Sequence, residues 1–172
     1  MNTCSFDRYF TQGLEILDDQ KTMILSSGLY KKSKMLIIEF DYENCKFLTK
    51  FEKKLDDKYF AEGATYARIG SEDLIYQLTW RENKILVWDA NDLTLKETKG
   101  MPINNSMKLG WGLAYRKPFN SKRMGEVGEL YSTDGSSNIY IIDPITWVQT
   151  DVIPIFDEHN QPLSSINEIE FI

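Results

Sequence analysis

Apolar positions along this chain gather in short runs bounded by turn residues, and helical periodicity is hard to find. The runs are MILSSG (23–28), KMLIIEFD (34–41), DLIYQLTW (73–80), KILVWDA (84–90), GELYSTDG (128–135), NIYIIDP (138–144) and WVQTDVIPI (147–155). Each has the length of a β-strand, and several are rich in Ile, Val, Tyr and Trp, side chains that suit a pleated surface. The connectors are turn-competent clusters: Asp18-Asp19, Arg81-Glu82-Asn83, Asp89 to Asp92, Asp134-Gly135-Ser136-Ser137 and Asp143-Pro144. Two stretches, 99–106 and 115–126, read as longer surface loops. The pattern predicts an all-β meander.

A meander of short strands must close or stack to cover its edges, so internal repetition matters. Gln12-Gly13-Leu14, Glu62-Gly63-Ala64 and Trp111-Gly112-Leu113 place glycines 50 and 49 residues apart. Ile166-Asn167-Glu168-Ile169 follows with the same flavour but no glycine, and three of the longer runs end in Asp41, Asp89 and Asp143. A period near 50 residues with about four strands is that of a β-propeller blade of kelch-like length. The expectation is one partial propeller over 1–172, with blade-like units starting near 10, 59, 108 and 165. The innermost strand of a blade lines the central channel, so Gln12, Glu62, Trp111 and Asn167 should converge near one mouth.

Composition narrows the function classes. At 172 residues, 42% of them hydrophobic and 27% charged, the chain is long enough for a real core. A formal charge of -6 argues against a nucleic-acid or anionic-membrane surface, and the one basic cluster, Lys31, Lys32 and Lys34, is too short to supply a patch. No stretch approaches the roughly 18 apolar residues of a membrane span. Cys4 and Cys45 lack metal-ligand spacing and read as thiols that need not pair. His159, the lone histidine, lies in the polar stretch DEHNQP and reads as a loop residue. Asp41, Asp89 and Asp143 read as blade-edge turns, and Glu158, Glu168 and Glu170 follow no metal-ligand pattern. None of these spacings points to a metal site.

The motifs FTQGLEI (10–16), YFAEGAT (59–65), IYQLTW (75–80), GWGLA (110–114), STDGSSNIYIIDP (132–144) and INEIEF (166–171) together resemble the plant and bacterial type of glutaminyl cyclase, in the family's order. The resemblance implies a five-bladed propeller. It also implies a reaction that needs no cofactor or metal, in which the α-amine of an N-terminal glutaminyl residue attacks its own side-chain amide, releasing ammonia and leaving a pyroglutamyl end. The partner would then be a peptide or protein with N-terminal glutamine. Glu62 matches the family's catalytic glutamate, a carboxyl able to carry a proton from amine to leaving group. Aromatic walls would disfavour its ionised form and raise its pKa. Read without the family, the same residue is an ordinary acid at a strand end. Trp80 and Trp111 match tryptophans that wall the pocket, and the glycines flanking Trp111 permit close backbone approach to a ligand. Asn167 matches an asparagine able to donate to the developing oxyanion. Phe10, Gln12 and Phe60 match pocket-lining positions.

The chain departs from the family in two places. Leu109 stands where an acidic residue usually precedes GWGL. At about 50 residues per blade the chain makes roughly three and a half blades, and the family's third pocket tryptophan and its site lysine lie beyond the asparagine motif. Three readings therefore stay open: a cyclotransferase, a peptide-binding module without turnover, or an inactive truncated homologue. The N-terminal MNTCSFDRYF carries no signal-peptide pattern, whereas family members usually enter the secretory pathway or periplasm.

Overall fold

The structure is a computed structural model that describes residues 9–102, 109–118 and 127–171. Cys4 and parts of both expected long loops lie outside the described residues. Among the described residues twelve strands follow in chain order: β1 (Thr11–Ile16), β2 (Thr22–Ser27), β3 (Lys34–Asp41), β4 (Lys46–Lys54), β5 (Ala61–Ile69), β6 (Glu72–Thr79), β7 (Lys84–Asp89), β8 (Leu95–Gly100), β9 (Leu113–Arg116), β10 (Glu129–Thr133), β11 (Asn138–Asp143) and β12 (Val148–Pro154). They form three antiparallel sheets with neighbours in sequence order, β1 to β4, β5 to β8 and β9 to β12. The all-β expectation holds.

The seven apolar runs fall on strands β2, β3, β6, β7, β10, β11 and β12, and the first six of these are the middle strands of the sheets. A middle strand is covered on both faces, which is why it reads as a continuous apolar run. Ile24, Met35 and Ile37 of the first sheet pack with Ala64, Ile75, Leu86 and Trp88 of the second. The second sheet packs with the third through Leu74, Tyr76, Ile85, Leu113, Leu130 and Tyr140. The fold is thus three sheets stacked face to face around a common inner edge formed by β1, β5 and β9.

Each outer hairpin is built the same way. The aspartate closing the third strand accepts backbone N–H bonds from the turn: Asp41 from Glu43 and Asn44, Asp89 from Asn91, Asp143 from Ile145 and Thr146. Four residues after each aspartate the chain takes a left-handed conformation at Cys45 (φ 53), Leu93 (φ 56) and Trp147 (φ 58). The three hairpins also share a register shift, at Ile37/Ile38, Val87/Trp88 and Ile141/Ile142. The repeated aspartates are turn residues, as expected, and those turn bonds hold each carboxyl below its ordinary pKa.

Cys45 corrects an expectation, because it is disulfide-bonded and not a thiol. Two cysteines 41 positions apart give no spacing signal for a pair. After β12 the described chain makes one isolated bridge, Phe156 with Pro162, and then runs without strand pairing to residue 171.

Candidate active site

The inner edge places the glycine repeat in contact with itself. A Cβ at Gly13 would stand 2.6 Å from the Ala64 nitrogen, one at Gly63 2.5 Å from the Trp111 carbonyl oxygen, and one at Gly112 would overlap the Asn167 carbonyl oxygen. The glycines exist because three inner segments approach backbone to backbone, and the Gly63 N–H donates to Trp111 O at 2.7 Å. Two residues further on, side chains carry the next bond between sheets. Glu15 accepts from Thr65 Oγ1 (2.8 Å) and the Tyr66 N–H (2.7 Å), and Thr65 Oγ1 accepts from the Tyr115 N–H (3.0 Å).

Register shifts at Thr11/Gly13 in β1 and Ala61/Ala64 in β5 fall on the residues in question. An extra residue in one strand re-aims a side chain out of the regular alternation. Gln12 and Glu62 occupy these bulges, and Gln12 Nε2 donates to Glu62 Oε2 at 2.9 Å. Glu62 is 5% exposed. Burial pushes its carboxyl up to about 7, the Gln12 bond opposes this, and the negative charge of Glu82 adds to it.

Gln12, Phe60, Glu62, Trp80, Trp111 and Asn167 line one cavity of about 260 Å³. The Phe60 and Trp80 rings lie 5.5 Å apart, tilted by 57°, and the Trp80 N–H donates to Phe60 O at 2.9 Å. Trp111 is fixed through its N–H to Thr133 O (3.0 Å), and Gly135, with φ 81, lets the indole lie against the backbone. The Trp111 Nε1 is buried and has no hydrogen-bond partner among the described residues. Asn167 O accepts from Thr133 Oγ1 at 2.6 Å, while Asn167 itself stays exposed. Six of the seven residues singled out in the sequence meet here. Phe10 stands outside, 60% exposed, lining a neighbouring groove with Leu29 and Lys32, its ring 6.4 Å from Phe60.

Three contributors escaped the sequence reading. Gly28 leaves room for the Phe60 ring, which a Cβ there would approach to 2.5 Å. Tyr30 packs edge-on to Phe60 at 5.3 Å, and Glu82 accepts from the Tyr30 hydroxyl at 2.9 Å. Only an unexplained Gly28 and a charged turn residue hinted at them. Among the described residues, no group of three His, Cys, Asp or Glu side chains is arranged to hold a metal ion. The site offers instead a carboxyl titrating near neutrality inside an aromatic box.

A family model described as glutamine cyclotransferase matches residues 1–172, the whole chain. The chain belongs to the glutamine cyclotransferase family. The chain is 31% identical over 163 residues to glutaminyl-peptide cyclotransferase of Arabidopsis thaliana, covering 95% of the chain and 43% of that protein. The crystal structure of Myxococcus xanthus glutaminyl cyclase superposes with a TM-score of 0.67 at 23% identity, covering 95% of the chain and 58% of that structure. The WD40 repeats of RRP9 superpose at 0.55 and 13% identity over 97% of the chain and 43% of that structure, a likeness of fold alone. The fold is accordingly a partial β-propeller, and the chain spans about half the length of the relatives it matches.

Proposed function

We propose that the intact protein is a glutaminyl-peptide cyclotransferase and that this chain supplies its proton-carrying carboxyl. The observation that carries the reading is Glu62, buried in an aromatic cavity with a neutral amide as its hydrogen-bond partner and a pKa of about 7. Near pH 7 both protonation states are then populated, as a group that must first accept and then deliver a proton requires.

In the reaction the α-amine nitrogen of the glutaminyl residue attacks its own side-chain amide carbon. A new N–C bond forms, Glu62 takes the proton lost by the amine, and the carbonyl becomes a tetrahedral oxyanion. Glu62 then returns the proton to the amide nitrogen, the C–N bond breaks, and ammonia leaves. Asn167 lines the cavity and can donate its side-chain amide to the oxyanion without adding charge. Trp80, Trp111 and Phe60 shape a small box that favours the folded-back side chain, lowering the entropic part of the barrier. Gln12 holds the Glu62 carboxyl in place through its 2.9 Å bond, and Phe10 at the rim is left for contact with the following substrate residues.

Asn167 and Glu168 are exposed, so the cavity is open on that side of this chain. That openness favours, as the second reading, a site that holds a peptide end without turning it over. Incubating the intact protein with a glutaminyl peptide separates the two. Ammonia release together with a pyroglutamyl product is expected, while saturable binding with no ammonia would replace the cyclotransferase reading by the binding module.

A further inference from the structure

The Arg81-Glu82-Asn83 turn between β6 and β7 holds an acid that reaches beyond its own turn. Glu82 accepts the Tyr30 hydroxyl at 2.9 Å on one oxygen and the Phe60 N–H at 3.4 Å on the other. Tyr30 comes from the loop between β2 and β3 of the first sheet, and Phe60 immediately precedes β5, so one carboxylate joins two sheets at the cavity rim. The Phe60 ring in turn contacts Tyr30 at 5.3 Å and Trp80 at 5.5 Å. The guanidinium of Arg81 lies over the Trp80 ring, 3.8 Å from its centroid. Consecutive residues of one turn therefore hold the aromatic wall, Arg81 on the Trp80 ring and Glu82 on Tyr30 and Phe60.

We propose that Glu82 is a positioning residue of this site, fixing the Tyr30–Phe60–Trp80 wall through two hydrogen bonds. The inference rests on the reading of Glu62 as the proton carrier, and it adds the group that tunes and frames it. A surface turn needs none of this, since the neighbouring strand ends are already satisfied by Thr79 Oγ1, which bonds Lys84 at both N (3.1 Å) and O (3.0 Å). Gln12 on β1 donates a neutral bond to Glu62, Glu82 acts from the turn, and Glu168 on the C-terminal segment shares its field. Arg81 is directed to the Trp80 face. Two carboxylates in one neighbourhood disfavour each other's ionisation. The charge of Glu82 therefore holds the proton on Glu62 to higher pH than burial alone.

The test is made on the intact protein labelled with carboxyl-13C glutamate, the Glu62 resonance being assigned by its loss in Glu62→Gln. Glu82→Gln keeps an acceptor for Tyr30 and removes the charge. Its Glu62 titration midpoint is expected to fall by about half a pH unit. Tyr30→Phe does the reverse: the charge stays and the midpoint holds, while the freed Phe60 shifts the Trp80 indole signal. An unchanged midpoint in Glu82→Gln, or an unmoved Trp80 signal in Tyr30→Phe, overturns the proposal. Both readouts are independent of turnover, so ammonia release that survives in Glu62→Gln would refute the catalytic reading and leave this result standing.

Discussion

The inner and outer edges of these sheets are made of the same secondary structure and have opposite chemistry. On the inner edge, β1, β5 and β9 meet through glycines whose missing side chains let backbone touch backbone, and polar side chains bridge from sheet to sheet. On the outer edge, β4, β8 and β12 are mostly exposed. β4, with sequence KFLTKFEKK, carries ion pairs such as Lys50–Glu39 at 3.0 Å, each partner 47% exposed. An edge in water is guarded by charge against further strand pairing. An edge in the centre can bury a carboxyl and shift its titration. The difference explains why the candidate chemistry lies only on the inner side.

The comparison breaks most visibly at Gly63. Gly63→Ala would drive a methyl to within 2.5 Å of the Trp111 carbonyl oxygen and 2.7 Å of the Leu113 nitrogen, backbone atoms that cannot swing away. A loss of about 2–4 kcal/mol is expected, read as a lower midpoint of urea unfolding with unchanged slope.

A smaller effect is the pH dependence of stability. Burial raises the carboxyls of Glu15 and Glu62 from 4.5 to about 7. Between these values the native state binds more protons than the unfolded chain, so stability is highest below about 4.5 and falls as pH rises to about 7. The fall from these two groups is superimposed on the opposite trend of the low-pKa turn aspartates. Glu15→Gln should flatten the slope in that window. An unchanged slope would mean that Glu15 is not held protonated by burial.

The smallest effect belongs to the outer edge. Lys50→Ala removes one exposed ion pair and should change stability by no more than about 0.5 kcal/mol. A larger loss would erase the contrast between the edges.

The same contrast explains what could be read from sequence. Middle strands such as KMLIIEFD and KILVWDA announce themselves because both faces are covered. The outer strands β4 and β8 are mostly exposed and so have no apolar run, which leaves them illegible in the sequence. The inner strands showed only through the spacing of Gly13, Gly63 and Gly112, whose reason is a contact between segments 50 residues apart. Glu62 was legible through its motif, whereas Tyr30 and Glu82 lie 52 positions apart in loops whose local sequence says only "turn". The Cys45 pairing left no local trace.

The central claim is that the buried inner-edge carboxyl moves the proton. Its most direct test is ammonia release from a glutaminyl dipeptide by the intact protein and by its Glu62→Gln variant, which preserves shape and the capacity to pair with Gln12. Loss of at least about 100-fold in kcat, with peptide binding and unfolding midpoint retained, is the predicted result. Activity within a few-fold of the parent would contradict it.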